Sequence, residues 1–132
     1  MIDKTGIPWV DLDMVCLNDS RIFEQDYIFV KEMRLDGHEQ ITTCLLRFPP
    51  NCDFGKKLIM ESEEIVGGRK KVDWGIIGPD FLEKCIKEFN LEQYAMQTKL
   101  ACQIPWFQVE QFVQTAPNTP NTCLLYTSPS PR

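Results

Sequence analysis

The sequence has a single histidine, His38, and none of its six cysteines forms a Cys-x-x-Cys pair. Zinc sites draw on His and Cys clustered at short spacing, so none is expected here. No apolar run approaches the roughly 20 residues of a membrane span, and no signal-peptide pattern opens the chain. Positive charge is scarce as well, with 14 Lys+Arg against 19 Asp+Glu and a net charge of −5. An acidic chain makes a poor sequence-independent grip on phosphate backbones, so no nucleic-acid partner is expected. Internal repeats are also missing.

What is there is ordinary for a soluble globular protein: 132 residues, 43% hydrophobic and 25% charged. That length suits one domain or a piece of one. The last ten residues, "CLLYTSPSPR", stand apart in composition. They resemble the in-frame translation of a transposase adapter used in preparing sequencing libraries; the plainer alternative is a Ser/Pro-rich terminus. Either way residues 123–132 are expected to be a disordered tail. Five cysteines then remain, Cys16, Cys44, Cys52, Cys85 and Cys102, scattered through apolar segments. An odd, scattered set reads as buried free thiols of a reducing compartment, with a lumenal enzyme left open.

Residues 7–17 read as one strand, or as two short strands broken at Asp11 and Asp13. Asp26 to Met33 is a second strand with Tyr27, Phe29 and Lys31 on one face. Leu35 to Gln40 is a turn marked by Asp-Gly, and Ile41 to Phe48 is a third strand closed by Pro49 and Pro50. From Asp53 the period becomes helical, with Phe54, Leu58, Ile59, Ser62 and Ile65 near one face, Asp53 as N-cap and Gly67–Gly68 as the stop. A second helix starts at Pro79, buries Phe81, Leu82, Cys85, Ile86 and Phe89, and stops at Asn90. A third is expected to open near Pro105. Strands followed by separated helices predict an α/β fold, a mixed sheet with flanking helices.

The chemistry concentrates in "GIPWVDLDMVCL", where two carboxylates interrupt an apolar stretch. In one extended strand Asp11 and Asp13 would project to the same side, because side chains alternate with a period of two. Two neighbouring, partly buried carboxylates repel and are costly unless a cation bridges them. Mg²⁺ or Mn²⁺ suits such a pair, taking one or two carboxylates and leaving positions for water and phosphate oxygens. An EF-hand is excluded, because Val15 and Cys16 stand where a ligand and a glycine are needed. A two-carboxylate glycoside hydrolase is disfavoured, because its acid and base stand about 5 to 9 Å apart on separate elements. The plainer alternative gives one aspartate a turn-capping role and the other an exposed position.

With its hydrophobic lead-in, "WVDLDMVCL" resembles the DXD signature of glycosyltransferases with the GT-A fold. It is similar in particular to the DXD-containing sugar-transferase family that includes α-1,4-galactosyltransferases and bacterial polysaccharide enzymes. "ITTCLLRFPPN", "WGIIGPDFLEKCIKEF" and "IPWFQVEQF" resemble later segments of that family in the same order, so the likeness covers roughly residues 6–114. It implies a partial catalytic domain over residues 1–122. The activity implied is transfer of a hexose from a nucleotide-sugar, UDP- or GDP-linked, to a glycan or glycolipid acceptor. Asp11 and Asp13 match the motif that holds Mn²⁺ or Mg²⁺ and, through it, the donor diphosphate, with Trp9 beside the nucleotide. Gly78, Pro79 and Asp80 match the segment near donor sugar and acceptor. Trp74 and Trp106 are candidates for stacking on sugar rings, and Thr43, beside Thr42, for a sugar hydrogen bond. The parent's place, if bacterial, would be the cytoplasm or a peripheral membrane association, and if eukaryotic the Golgi lumen.

Three departures stand beside the likeness. Gly6-Ile7-Pro8 replaces the family's Gly-Gly, the Thr pair replaces an amide, and the family's nucleotide-binding strands and His-x-Trp-Asn element have no counterpart. The expectation is therefore an internal fragment, inactive as it stands. The alternative from another class is a non-catalytic carbohydrate-binding or interaction module.

Overall fold

The computed structural model describes residues 2–17, 21–69, 71–73, 76–108, 110–111 and 124–126. In chain order the elements are α1 (Ile2–Thr5), β1 (Trp9–Val10), β2 (Met14–Cys16), β3 (Ile28–Met33), β4 (Glu39–Arg47), α2 (Asp53–Val66), α3 (Pro79–Glu88), β5 (Ala95–Met96), α4 (Thr98–Ala101) and β6 (Leu124–Tyr126). Four strands form a mixed sheet in the order β1-β4-β3-β5, antiparallel except for the parallel β3–β5 pair. The fold is thus mixed α/β, as expected from the sequence.

The β3–β4 hairpin is the centre. Gly37 turns it with φ of +82°, a left-handed conformation that glycine adopts without a Cβ clash. The register then slips between Phe29, opposite Leu46, and Val30, opposite Thr42, so β4 bulges around residues 43–45. A bulge breaks the alternation of faces. Cys44 and Leu45 accordingly join one core cluster with Ile28, Val30, Met96, Ala101 and Cys102.

The other cluster joins the sheet to α2 and α3 through Phe29, Ile41, Phe48, Phe54, Phe81, Leu82, Cys85 and Ile86. Phe54 is its hub. Its ring meets those of Phe29, Phe48 and Phe89 at centroid distances of 5.5, 5.6 and 5.6 Å, all edge-on. Edge-on contacts suit the aromatic quadrupole and add to the burial of the ring itself. The apolar stripe of α3 is buried at Phe81, Leu82, Cys85 and Ile86, and the helix stops where Asn90 adopts φ of +53°. On the outer surface Lys57 pairs with Glu61 and Glu88, and Lys84 bridges the same two carboxylates.

Several sequence expectations need correction. The cap of α2 is Cys52, whose sulfur accepts from the Gly55 N–H at 3.3 Å, and Asp53 lies in the first turn instead. Ile59 faces out at 44% exposure. Around Pro105 the described residues form a short 3₁₀ turn, Trp106–Gln108, and Gln111 is helical, while the rest of the third helix expected there lies outside the described residues. Leu124–Tyr126, within the tail expected to be disordered, forms β6 and pairs with β2 in the register Met14 to Tyr126 and Cys16 to Leu124. Among the described residues no helix is long and apolar enough to cross a membrane.

Candidate functional site

The two aspartates do not share the face of one strand. β1 ends at Val10, Leu12 and Asp13 form a turn, and β2 begins only at Met14. The break has a local cause. The Asp11 N–H bonds the Cys44 carbonyl at 2.9 Å, the last link to β4, and the Asp11 carbonyl then accepts from the Met14 N–H at 3.2 Å. Of the sequence's two alternatives the broken one holds, and alternation along a single strand no longer aligns the carboxylates. A turn presents them instead.

Leu12, at the tip of that turn, is fully exposed, while both flanking aspartates are half-buried. Asp13 Oδ1 has no access to solvent. Asp11 Oδ1 accepts a 2.8 Å hydrogen bond from the indole Nε1–H of Trp9, itself 45% exposed. A carboxylate offers two oxygens and about four acceptor positions, so one indole leaves capacity for another partner.

The upstream approach is held in place from β4. Arg47 donates from Nε to the Gly6 carbonyl at 3.0 Å and from its terminal nitrogen to the Phe23 carbonyl. Gly6 itself has φ of +65°, and a Cβ there would come within 3.0 Å of Pro50. The glycine before the aspartates thus has a backbone reason.

Among the described residues no three His, Cys, Asp or Glu side chains gather as a metal-binding group. A cation on this turn would draw, among the described residues, the two carboxylates of Asp11 and Asp13 and complete its shell with water or phosphate oxygens. That donor set fits Mg²⁺ or Mn²⁺ better than Ca²⁺, which takes six to eight oxygens. The half-burial of both side chains fits it too.

Gly78, Pro79 and Asp80 open α3 as expected, with Gly78 as N-cap and Pro79 in the first turn. Asp80 is exposed at the start of α3, with one of its carboxylate oxygens already engaged. Its Oδ1 accepts from the Gln40 side-chain amide, and the Gln40 carbonyl oxygen accepts from Arg34 at 3.2 Å. An Arg34–Gln40–Asp80 chain thus ties the β3–β4 hairpin to the start of α3. Gln40 and Cys44 are four residues apart on β4, on the order of 13 Å for extended backbone. The turn of Asp11 and Asp13 and the start of α3 therefore attach to the same strand at different positions.

Thr43 lies half-buried in the bulge of β4. Trp106 packs edge-on against Phe107 at 5.6 Å and lines a cleft of about 170 Å³ with Arg34, Leu35 and Asp36. Trp74 lies outside the described residues. A second cleft, about 440 Å³ and missed at the sequence level, is lined by Met33, Glu39, Gln97, Thr98, Lys99 and Gln103. Its residues come from the hairpin end and from α4, a helix too short for a periodic signal, so no local pattern announces it. Within it the Thr98 hydroxyl donates to Glu39 Oε1 at 2.5 Å. That bond holds the Glu39 carboxyl below its ordinary value, against the opposing pull of burial.

Compared with family models, curated proteins and solved structures, the chain matches none of them.

Proposed function

We propose that the chain carries the donor-binding turn of a metal-dependent glycosyltransferase of the GT-A type. The proposed reaction moves a hexose from a UDP- or GDP-sugar to a glycan or glycolipid acceptor. One observation carries this reading: Asp11 and Asp13 flank a single turn at the sheet edge, both half-buried, with the Trp9 indole fixing one of them. Together they would hold Mn²⁺ or Mg²⁺, and Trp9 would keep Asp11 oriented. When bound, the cation would neutralise charge developing on the departing nucleoside diphosphate. Gly78 and Pro79 open a ten-residue helix whose first N–H groups lack intrahelical partners, a setting suited to anionic or hydroxyl oxygens.

Titration calorimetry of Mn²⁺ into the full chain, with and without UDP or GDP, tests the reading. Expected is binding strengthened by the nucleotide and weakened at least about tenfold by Asp11→Asn or Asp13→Asn, a loss of about 1.4 kcal/mol. Unaltered Mn²⁺ binding in both variants would overturn it.

A second reading, a metal-independent carbohydrate-binding or interaction module, is favoured by a different observation. Ile7, Trp9, Val10 and Leu12 expose 65%, 45%, 36% and 106% of their surface along one edge of the sheet. Such a module would bind its sugar or protein partner equally well in the presence of a chelator.

A further inference from the structure

Away from the aspartate turn, the core holds a pair of thiols that the proposed transfer does not use. Cys44 lies on β4 and Cys102 immediately follows α4, 58 residues later, yet their sulfurs are 3.8 Å apart. Each is 3% exposed, and both belong to the cluster of Ile28, Val30, Leu45 and Met96. Cys52 and Cys85 are placed differently. Cys52 uses its sulfur to cap α2, and Cys85 is buried on α3.

A disulfide requires an S–S distance of about 2.05 Å. From 3.8 Å the two sulfurs have less than about 2 Å to close. The bulge in β4 is what makes this meeting possible, since it turns Cys44 and Leu45 into the same cluster. The Cys102 N–H is anchored to the Thr98 carbonyl at 2.8 Å, so the second partner is held by the last turn of α4.

We propose that Cys44 and Cys102 are a dithiol–disulfide couple, closed by a low-molecular-weight disulfide such as glutathione disulfide, that staples β4 to the end of α4. In the first step one cysteine thiolate attacks a sulfur of the oxidant, whose S–S bond breaks. The released glutathione thiolate takes up the proton that the attacking cysteine lost. The second cysteine then displaces glutathione from the mixed disulfide, forming the Cys44–Cys102 bond and releasing a second glutathione thiol. Two protein thiols are oxidised, and one glutathione disulfide is reduced to two thiols.

Access sets the rate. Hydrogen bonding to Cys44 and then burial hold the Cys102 thiol far above the ordinary range, and scarce thiolate reacts slowly. The bond should therefore form fastest while the chain folds, before the core closes over the pair.

The test is refolding of the full chain in glutathione buffers of graded oxidised-to-reduced ratio. Free thiols are then alkylated, the chain is digested without reduction, and the peptides are identified by mass spectrometry. Expected is a peptide pair joined through Cys44 and Cys102, rising with the oxidised fraction, while Cys44→Ser leaves Cys102 alkylated. Closing a 58-residue separation should also raise the melting midpoint over the reduced protein by on the order of 10 °C. Persistence of both thiols as alkylated peptides at every ratio, or their pairing with other cysteines, would overturn the proposal. Because the decisive readout uses the unmodified sequence, a variant that fails to fold does not obscure it.

Discussion

The indole N–H of Trp9 donates to the carboxylate of Asp11 at 2.8 Å, across one residue at the end of β1. It is a positioning contact at the surface: Trp9 is nearly half exposed and sits on a two-residue edge strand. Hydrogen bonds to charged groups are worth roughly 1.5–3 kcal/mol when sheltered and less when solvent competes. Trp9→Phe keeps an aromatic ring and removes the donor. Stability should change by no more than about 0.5 kcal/mol, as is usual at surface positions. Mn²⁺ affinity should fall about fivefold, or about 1 kcal/mol, because Asp11 loses its fixed orientation. Calorimetry and urea unfolding of the same preparation separate the two effects. Unchanged metal affinity would leave Trp9 as an apolar surface residue only.

The start of α2 has no room for a side chain at Gly55. A Cβ there would lie 2.5 Å from Phe48 Cε2 and 2.9 Å from Asp3 Oδ1. Phe48 is buried and packs on Phe54, so it cannot yield without disturbing the aromatic cluster. Asp3 is part of α1, and its carbonyl accepts from the Asn51 N–H at 2.7 Å, which ties the first residues to the loop before α2. Gly55→Ala, which in an open helix would be favourable, should therefore destabilise by about 1–3 kcal/mol through overpacking. Chemical denaturation checks the sign. A stabilised variant would show that the contact between α1 and α2 is loose.

How legible this was from the sequence depended on the range of the interaction. The β3–β4 hairpin and the second and third helices of the chain were readable because alternation, Asp-Gly, Pro79 and Asn90 act within a few residues. The cap of α2 shifted by one residue because a cysteine sulfur, an unusual cap acceptor, took the Gly55 N–H ahead of Asp53. The aspartate turn was legible as an alternative but not as a choice. What decides it is the Asp11 N–H on the Cys44 carbonyl, a bond to a residue 33 positions away. The same limit hid the bulge of β4. Nothing local in "ITTCLLRF" says that two consecutive residues will enter one core cluster, and with that the meeting of Cys44 and Cys102 was out of reach. Asp80 was singled out for a sugar contact, and its bond to Gln40 was not legible, because Gln40 lies 40 positions away at the end of a segment that reads as a turn.

The contact between the hairpin end and α4 should make stability depend on pH in a defined direction. Thr98, buried at 8% exposure, donates its hydroxyl to Glu39 Oε1 at 2.5 Å, and Lys31 Nζ lies 3.5 Å from Oε2. Donation by Thr98 is the main cause that holds the Glu39 carboxyl below its ordinary value of 4.5, with Lys31 adding to it. A carboxyl that ionises more readily folded than unfolded means that the folded state binds fewer protons. Its stabilisation is therefore complete above about pH 4.5 and is lost as pH falls through the lower, folded value. Because the Glu39 side chain is 38% exposed, solvent screens the interaction and the contribution stays well under about 1 kcal/mol. Thr98→Val keeps the shape and removes the donor. The variant should have a lower urea midpoint than the parent at neutral pH, and the two curves should converge as pH is taken below 4.5. A gap that stays constant across that range would assign the loss to packing of Thr98 against the hairpin and not to the ionised Glu39.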